Sequence, residues 1–430
     1  MSTTAGLSPA PRTGGPVVAT VIVVSRKTLV IFAVLTAALG LILATSAETG
    51  DTTFRLAVDT DFASVPELTV PAVGTAWLLT AICALLTAES LRRYLAKRPT
   101  PGWVVVAFAV AWVVGFLTWA AAGGTVPVVG LLAGSIALAV PLVFGALGGV
   151  LGERAGVVNI AIDGQLLFGA FAAAIVGSAT GSPWAGLVAA MLAGALVALI
   201  LGVFAITYFV DQVIVGVVLN VLVIGLTSFL FSQVLAPNAA TLNSPPRFPR
   251  VPIPVLGDIP VVGPVFFRQT VIVYLLYIAV ALVAFALYRT RWGLRVRAVG
   301  EHPMAADTVG IKVNLTRYRT ILIAGAIAGM GGAFYTLVSV PQFNREMTGG
   351  AGYIALAAVI FGKWDPIRAT LAALLFGFAS NLQGVLAVLG SPVPSQFMLM
   401  LPYVITIFAV AGLVGRSRPP AADGVPYRKE

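Results

Sequence analysis

The sequence predicts an all-α polytopic membrane protein with about 10–12 transmembrane helices, one or two of them broken or short. The first observation is composition: of 430 residues, 59% are apolar and 10% are charged, whereas soluble domains carry roughly 25% charged residues. The second is patterning, because the apolar residues form about a dozen runs of roughly 17 to 25 residues, each able to span about 30 Å of hydrocarbon. The runs do not alternate between apolar and polar residues, which excludes a membrane β-barrel. A soluble globule is excluded as well.

The first apolar run follows residues 1–27, which we predict to be a cytoplasmic tail. This segment lacks the apolar region and cleavage site of a signal peptide. Arg26 and Lys27 precede the run, and the segment 47–72 after it is acidic. Since positive charges mark cytoplasmic loops, the acidic segment is predicted to be external. The second run returns to a basic cluster, so the two runs form a predicted transmembrane hairpin over 28–98.

The later runs form a predicted transmembrane core over residues 99–415, followed by a cytoplasmic tail over 416–430. Both termini are therefore predicted to be cytoplasmic. The proline-rich segment 234–269 follows an odd-numbered crossing and is predicted to be external, whereas the basic segment 289–319 is the largest predicted cytoplasmic loop. The runs of the core are 103–122, 128–150, 161–178, 184–208, 212–233, 270–288, 319–340, 351–363, 367–390 and 396–415.

Two places interrupt the helical pattern of the core. Glycine and polar residues separate two runs at 152–159, and the run 351–363 is too short for a full crossing. We predict that this short run is a tilted or half-membrane helix that ends at the Gly-Lys-Trp-Asp-Pro sequence 362–366. Transporters often contain two related halves with paired broken helices. Similar spacing of Ile-Ala and Phe-Gly pairs near both breaks leaves an internal repeat as an open hypothesis.

The sequence lacks the residue sets that enzymes of the common classes use. His302 and Cys83 are the only histidine and cysteine, so no cluster of such ligands can bind a metal within the chain. There is no G-x-x-x-x-G-K-[ST] phosphate loop for ATP hydrolysis. We therefore predict no enzyme, no catalytic residue and no metal site. The net charge of +10 does not indicate nucleic-acid binding, because the basic residues lie between apolar runs and mark orientation.

Polar and aromatic side chains within the apolar runs are candidates for a substrate path. Amides both donate and accept hydrogen bonds, as binding a sugar or a nucleobase requires. Interhelical hydrogen bonding is the alternative, and it is the role we favour for Asn220. Asp163 has two further interpretations, as a carboxylate that stabilises a helix N-terminus after the break or as a proton-coupling group. The candidate path residues are Asn159, Asp163, Gln165, Phe168, Asn381 and Gln383.

The basic segment contains a predicted short helix that begins near Pro303 and ends at Gly310. Proline suits a first helical turn, and glycine suits a helix end. Ala305 and Ala306 would leave a small, smooth face. Such a helix can dock into a groove on a cytoplasmic partner and transmit a rigid-body movement, although an ordinary basic loop is the alternative. The residues predicted to contact that partner are Arg297, Gly300, Glu301, His302, Pro303, Ala305, Ala306 and Gly310.

Three ordered motifs resemble those of permease subunits of bacterial ABC importers in the branched-chain amino acid and ribose permease superfamily. The nucleoside and simple-sugar branch is the most similar. The motifs are Gly149–Gly169 (GVLGERAGVVNIAIDGQLLFG), Arg297–Ile311 (RAVGEHPMAADTVGI) and Gly352–Trp364 (GYIALAAVIFGKW), within a resemblance that covers roughly residues 125–415. Two positions differ from the family pattern: Asp163 replaces a glutamate, and His302 replaces an asparagine.

The resemblance implies a multi-pass protein of the bacterial cell membrane that works in an importer. The implied partners are cytoplasmic ABC ATPase subunits, a second permease subunit that is identical or different, an extracytoplasmic solute-binding protein and the lipid bilayer. ATP and Mg would bind to the ATPase and no cofactor to this chain, and residues 301–306 would form the coupling helix. The amides and aromatic residues fit nucleosides first and simple sugars next. The alternative is a stand-alone ion-coupled secondary transporter with Asp163 as its coupling group.

Overall fold

The computed structural model describes residues 26–45, 49–57, 65–389, 396, 400 and 418–429. Within this part of the chain, ten helices are long and apolar enough to cross a membrane, which confirms the predicted all-α polytopic fold. The predicted run 396–415 lies almost entirely outside the described residues. The described helices are α1 Lys27–Thr45, α2 Ala72–Leu95, α3 Gly102–Ala120, α4 Val128–Arg154, α5 Ile162–Thr180, α6 Pro183–Gly202, α7 Gln212–Leu230, α8 Ala239–Leu242, α9 Val271–Arg289, α10 Arg291–Glu301, α11 Pro303–Thr308, α12 Val313–Phe334, α13 Ala351–Phe361 and α14 Pro366–Val388.

The chain divides into two compact units. The first comprises Met1–Ser46 and Ala76–Phe116. In its interior, the rings of Phe32 and Phe108 stack with their centroids 3.8 Å apart. The second comprises Ala47–Thr75 and Leu117–Glu430 and holds the later helices. The third helix thus shares a unit with the first two, while the domain boundaries at 98 and 415 remain predictions.

Short strands, which the sequence analysis did not predict, lie in segments between the helices. β1 (Asp51–Arg55) pairs antiparallel with β2 (Leu68–Pro71) and parallel with β3 (Thr125–Pro127). In the proline-rich segment, β4 (Arg250–Pro252) pairs antiparallel with β5 (Arg268–Thr270). These ladders provide hydrogen-bond partners for backbone groups outside the helices.

Local sequence sets where several helices begin. Asp211 precedes α7, and its Oδ1 accepts hydrogen bonds from the backbone N–H groups of Val213 at 2.9 Å and Ile214 at 3.1 Å. Asp365 precedes α14 in the same way and accepts from the N–H of Arg368 at 2.9 Å. Because the first N–H groups of a helix have no partner within it, such side chains define the helix start.

Small residues allow the central helices of the second unit to approach closely. A Cβ atom on Gly194 of α6 would lie 2.2 Å from the carbonyl oxygen of Gly325 in α12. One on Gly329 would lie 2.1 Å from the carbonyl oxygen of Ala190. Any side chain at these positions would push the two helices apart, which is the packing expected of glycine in lipid.

The basic segment 289–319 is largely helical rather than a loop. It contains α10 and α11, and α12 begins at Val313, before the predicted start near 319. Arg317, which belongs to the segment predicted to be a loop, lies within α12 and is only 1% exposed. These helices place a compact structure at one end of α12.

Candidate functional site

Both predicted interruptions are present, and they lie against each other. α4 ends at Arg154 and α5 begins at Ile162, so the chain is not helical between them. α13 has 11 residues, which at 1.5 Å per residue makes it about 16 Å long, or about half the thickness of the hydrocarbon core. We call the contact between residues 153–165 and 348–365 the junction.

One end of the junction is built around Trp364. Its indole Nε1 donates a hydrogen bond to Oε2 of Glu153, and its carbonyl oxygen accepts one from Nε of Arg154 at 2.8 Å. Lys363 and Trp364 have φ values of 55° and 56°, a conformation that residues with side chains rarely adopt. The contacts with α4 hold this unfavourable turn in place between α13 and α14.

The other end of the junction is built around Asp163, which is only 3% exposed. Its Oδ1 accepts a hydrogen bond from the backbone N–H of Gly352 at 2.9 Å, and its Oδ2 accepts one from Oγ1 of Thr348 at 3.4 Å. Gly352 lies in the first turn of α13, so the carboxylate stabilises the N-terminus of that helix. Such a role is one interpretation of Asp163 from the sequence, but there the helix is α5, which follows its own break.

Amide side chains hold the irregular backbone between α4 and α5. The side chains of Asn159 and Gln165 bond to each other at 3.1 and 3.0 Å, and both are fully buried. Oδ1 of Asn220 accepts from the N–H of Gly164 at 2.7 Å, and its Nδ2 donates to the carbonyl oxygen of Ile160 at 2.9 Å. The interhelical role predicted for Asn220 is confirmed. Non-helical backbone at membrane depth needs such partners.

The other candidate path residues lie elsewhere. Phe168, farther along α5, is half-buried, with its ring 6.1 Å from that of Phe171. Nδ2 of Asn381 in α14 donates to the carbonyl oxygen of Leu131 at 2.6 Å, near the start of α4. Gln383 is half-buried and makes no hydrogen bond within the described part of the chain. The junction packs on the second half of α4, whereas Asn381 bonds near the start of that helix. Asn381 therefore lies about 20 Å from the junction along α4. The six candidates therefore do not form one cluster.

An apolar cavity of about 250 Å³ lies between α4, α9 and α14. None of the six candidate path residues lines it. Its walls include Val143, Phe266, Tyr277 and Leu374, and they offer few of the polar groups that orient a polar solute.

The short helix predicted after residue 302 is confirmed as α11. Nδ1 of His302 accepts a hydrogen bond from the N–H of Ala305 at 3.1 Å, so His302 caps the helix. Pro303 forms the first turn, and Gly310, with a φ of 84°, follows the last. Ala305 is exposed whereas Ala306 is only 4% exposed. The two alanines therefore do not share one outward face.

The remaining residues predicted to contact a partner also make contacts within the chain. A Cβ atom on Gly300 would lie 2.1 Å from the carbonyl oxygen of Arg154, so the end of α10 rests directly on the end of α4. The guanidinium of Arg297 lies 5.3 Å from the ring centroid of Tyr288. Oε2 of Glu301 accepts a hydrogen bond from the N–H of Ala421 at 3.2 Å.

Sequence reasoning missed three buried residues that organise this region. Glu153 lies in the motif Gly149–Gly169 and Trp364 in the motif Gly352–Trp364. Membership of these two motifs was the only sequence feature that marked the pair. Arg317 donates from Nη1 to the carbonyl oxygen of Val425 at 3.0 Å, and no local pattern indicates a partner so distant in the sequence. Across the described ranges, no group of three or more His, Cys, Asp or Glu side chains could hold a metal ion.

Comparisons with known proteins match most of this region. A family model described as branched-chain amino acid transport system / permease component matches residues 131–410. The guanosine ABC transporter permease protein NupQ of Bacillus subtilis is 44% identical over 69% of this chain and 95% of its own length. The nucleoside ABC transporter permease protein NupC of Lactococcus lactis is 38% identical over 70% and 96%. A putative glucose ABC transporter permease protein, TsgC13 of Haloferax volcanii, is 38% identical over 59% and 77%. No solved structure matches this chain.

The matched residues include the junction, α10 and α11. With ten described helices able to span a membrane and permease relatives matched over nearly their whole length, the chain is a multi-pass protein of the bacterial plasma membrane. The extent of the family match shows that the chain belongs to the family of permease components of the branched-chain amino acid transport system.

Proposed function

We propose that the chain is the membrane-spanning permease subunit of an ABC importer and forms the translocation path for nucleosides. The similarity to guanosine and nucleoside permeases over nearly their whole length carries this proposal. The similarity to a glucose permease supports simple sugars as the next substrate class.

The proposed partners are inferred from the missing phosphate-binding loop and from the exposed side chains of α11. Its sequence has no phosphate-binding loop, so ATP and Mg would bind to cytoplasmic ATPase subunits. The exposed side chains of Met304 and Ala305 in α11, and of Val309 directly after it, form a suitable contact for those subunits. A second permease subunit, identical or different, would complete the path, and an extracytoplasmic binding protein would deliver the solute.

A route for mechanical coupling runs through close contacts between α10, α4 and the turn after α13. ATPase closure would push α11 and α10, and α10 meets the last turn of α4 where Gly300 touches Arg154. Arg154 and its neighbour Glu153 both bond to Trp364, in the turn that follows α13. Because closely packed elements move as rigid bodies, a shift of α10 would reach α13 within two contacts. Movement of this half-length helix would alternate the access of the path.

A stand-alone ion-coupled carrier is the alternative function. It would need Asp163 as its coupling group, since carboxylates near the bilayer midplane usually carry that role. The hydrogen bonds from Gly352 and Thr348 instead fit a carboxylate that stabilises the start of α13. This geometry favours the importer proposal.

Uptake measurements test the proposal directly. The chain is expressed with the neighbouring transporter genes of its source, and entry of radiolabelled guanosine is measured with glucose as the comparison solute. We expect guanosine uptake that stops when ATP is depleted and continues when the proton gradient is collapsed. An ATPase should co-purify in mild detergent. Uptake by the chain alone, driven by an ion gradient and lost in Asp163→Asn, would establish the carrier instead.

The proposed coupling role of α11 has a separate test. Ala305→Trp places a bulky ring on the exposed side of the helix without entering the packed interior, so we expect uptake to be abolished while the chain remains inserted in the membrane. Ala240→Trp is the matched control, because Ala240 is also exposed but lies in the proline-rich segment. Normal uptake by Ala305→Trp would exclude α11 as the coupling helix.

A further inference from the structure

Residues 418–429, which we call the tail, are folded onto α10, α11 and α12. The backbone N–H of Ala422 donates to the carbonyl oxygen of Gly300 at 2.8 Å. Arg317 donates to the carbonyl oxygen of Val425, and the N–H of Ala421 donates to the side chain of Glu301. Ala421, Ala422 and Val425 of the tail are thus hydrogen-bonded to three different residues of α10 and α12.

The tail also supplies the apolar cover of α11. Tyr427 is 6% exposed and packs in one cluster with Val299 of α10, Ala306 of α11 and Val313 of α12. Ala306 is the only buried residue of α11, which has six residues. Isolated helices shorter than about 12 residues are marginal in water. The position of α11 therefore depends on the ring of Tyr427.

Asp423 of the tail lies in a polar cluster with the buried side chains of Glu153 and Arg317, close enough to interact electrostatically with both. Among the described residues, Oε1 of Glu153, Nε and Nη2 of Arg317, and Oδ1 of Asp423 have no hydrogen-bond partner. A Cβ atom on Gly156 would lie 2.8 Å from Nη2 of Arg317 and 2.9 Å from the carbonyl oxygen of Ala422. The tail therefore covers ionisable groups at the end of α4, where the junction begins, and near the start of α12.

We propose that the tail is a positioning strap that holds α10 and α11 in the orientation in which they meet the ATPase. This inference rests on the proposed importer function. The strap ties together the helices that would receive the ATPase movement and the end of α4 that would pass it on. Without the strap, α11 would move relative to α10, and the ATPase movement would not be transmitted to the junction.

The test uses the complete importer in proteoliposomes. Tyr427→Ala and deletion of residues 418–430 should each lower guanosine uptake per ATP hydrolysed at least tenfold. Tyr427→Phe should keep the wild-type ratio of guanosine uptake to ATP hydrolysis, because phenylalanine retains the packing of the ring. Tyr208→Ala is the matched control, since Tyr208 is 66% exposed and lies outside the tail. Hydrogen exchange in Tyr427→Ala should be faster across 298–311 and unchanged in α5.

The outcomes separate the strap from the importer proposal. If the wild-type complex takes up guanosine with ATP and both tail variants match it, the strap is excluded and the importer stands. If the wild type neither binds an ATPase nor shows ATP-dependent uptake, the importer proposal fails, and the strap fails with it.

A second variant remains informative if the tail variants do not insert. Nζ of Lys429 and Oδ1 of Asp307 lie 3.9 Å apart at the surface. In a Cys83→Ser background, Asp307→Cys and Lys429→Cys can be joined by a short bis-maleimide, which fixes the tail to α11. Full uptake after cross-linking is expected of a permanent strap. Loss of uptake on cross-linking would overturn the strap proposal, because it would mean that the tail has to detach from α11 during transport.

Discussion

Trp364 and Glu153 form a polar contact between residues 211 positions apart in the sequence. Glu153 is 3% exposed, and within the described chain its Oε1 has no partner. The indole N–H of Trp364 is thus a main partner of a buried acid. A buried acceptor that loses its donor costs about 1–3 kcal/mol. The pair therefore links the last turn of α4 to the turn after α13 with a contact that is costly to break.

We predict that Trp364→Phe lowers the free energy of unfolding by about 1–3 kcal/mol, because phenylalanine cannot donate to Glu153. Thermal unfolding in detergent measures the change. Trp184→Phe is the matched control, since Trp184 is 54% exposed, and it should unfold like the wild type. Combining Trp364→Phe with Glu153→Gln should give a loss smaller than the sum of the two single losses. An additive result would mean that the two side chains act independently.

At the scale of the element, the stability of the docked tail varies with the protonation of Asp423. Burial raises the pKa of Asp423 to about 7, although the positive charge of Arg317 and the backbone N–H of Gly424 act in the opposite direction. Glu153 of α4 is the nearby group of like charge. In an undocked tail the pKa would be about 3.9. The docked state therefore favours the protonated carboxyl, and its stability falls as pH rises from about 4 to about 7.

We predict that the tail becomes more mobile as pH rises from 5 to 7. A nitroxide attached to Val425→Cys reports this by electron paramagnetic resonance, because Val425 is 49% exposed and a label there leaves the packing intact. Adding Asp423→Asn should remove the pH dependence and keep the tail docked at both pH values. Asp258→Asn, outside the tail, should leave the dependence unchanged. A wild-type tail equally immobile at both pH values would exclude Asp423 as a group that controls docking.

At the scale of the whole molecule, the features predicted from sequence are those that depend on neighbouring residues. The first apolar run, predicted to begin after residue 27, is Lys27–Thr45 in the structure, because length and hydropathy are local properties. The break after α4 and the short α13 were predicted for the same reason. The docking of Tyr427 and the pairing of β1 with β3 were not, because they join segments far apart in the chain. Arg317 fell within the predicted loop because the next apolar run begins near 319, whereas α12 begins at Val313 and the hydrogen-bond partner of Arg317 lies in the tail.

Packing also constrains which segments share a side of the membrane. α10, α11 and the tail contact one another at the start of α12. The proline-rich segment contacts the other end, where the N–H of Phe248 donates to the carbonyl oxygen of Leu337. α12 continues as a π-helix over Tyr335–Ser339. The combined helix Val313–Ser339 joins these ends and has 27 residues, which corresponds to about 40 Å. The two groups of segments must therefore lie on opposite sides of a bilayer that this helix crosses.

We predict that a membrane-impermeant maleimide added to intact cells labels Val255→Cys but neither Ala305→Cys nor Val425→Cys. Val255 is 79% exposed in the proline-rich segment, and positive-inside parity makes that segment external. Permeabilised cells should label all three variants in a Cys83→Ser background. The wild-type chain provides the blank, since Cys83 is fully buried. Labelling of Ala305→Cys and Val425→Cys from outside would invert the orientation, and α11 would then face away from any cytoplasmic ATPase.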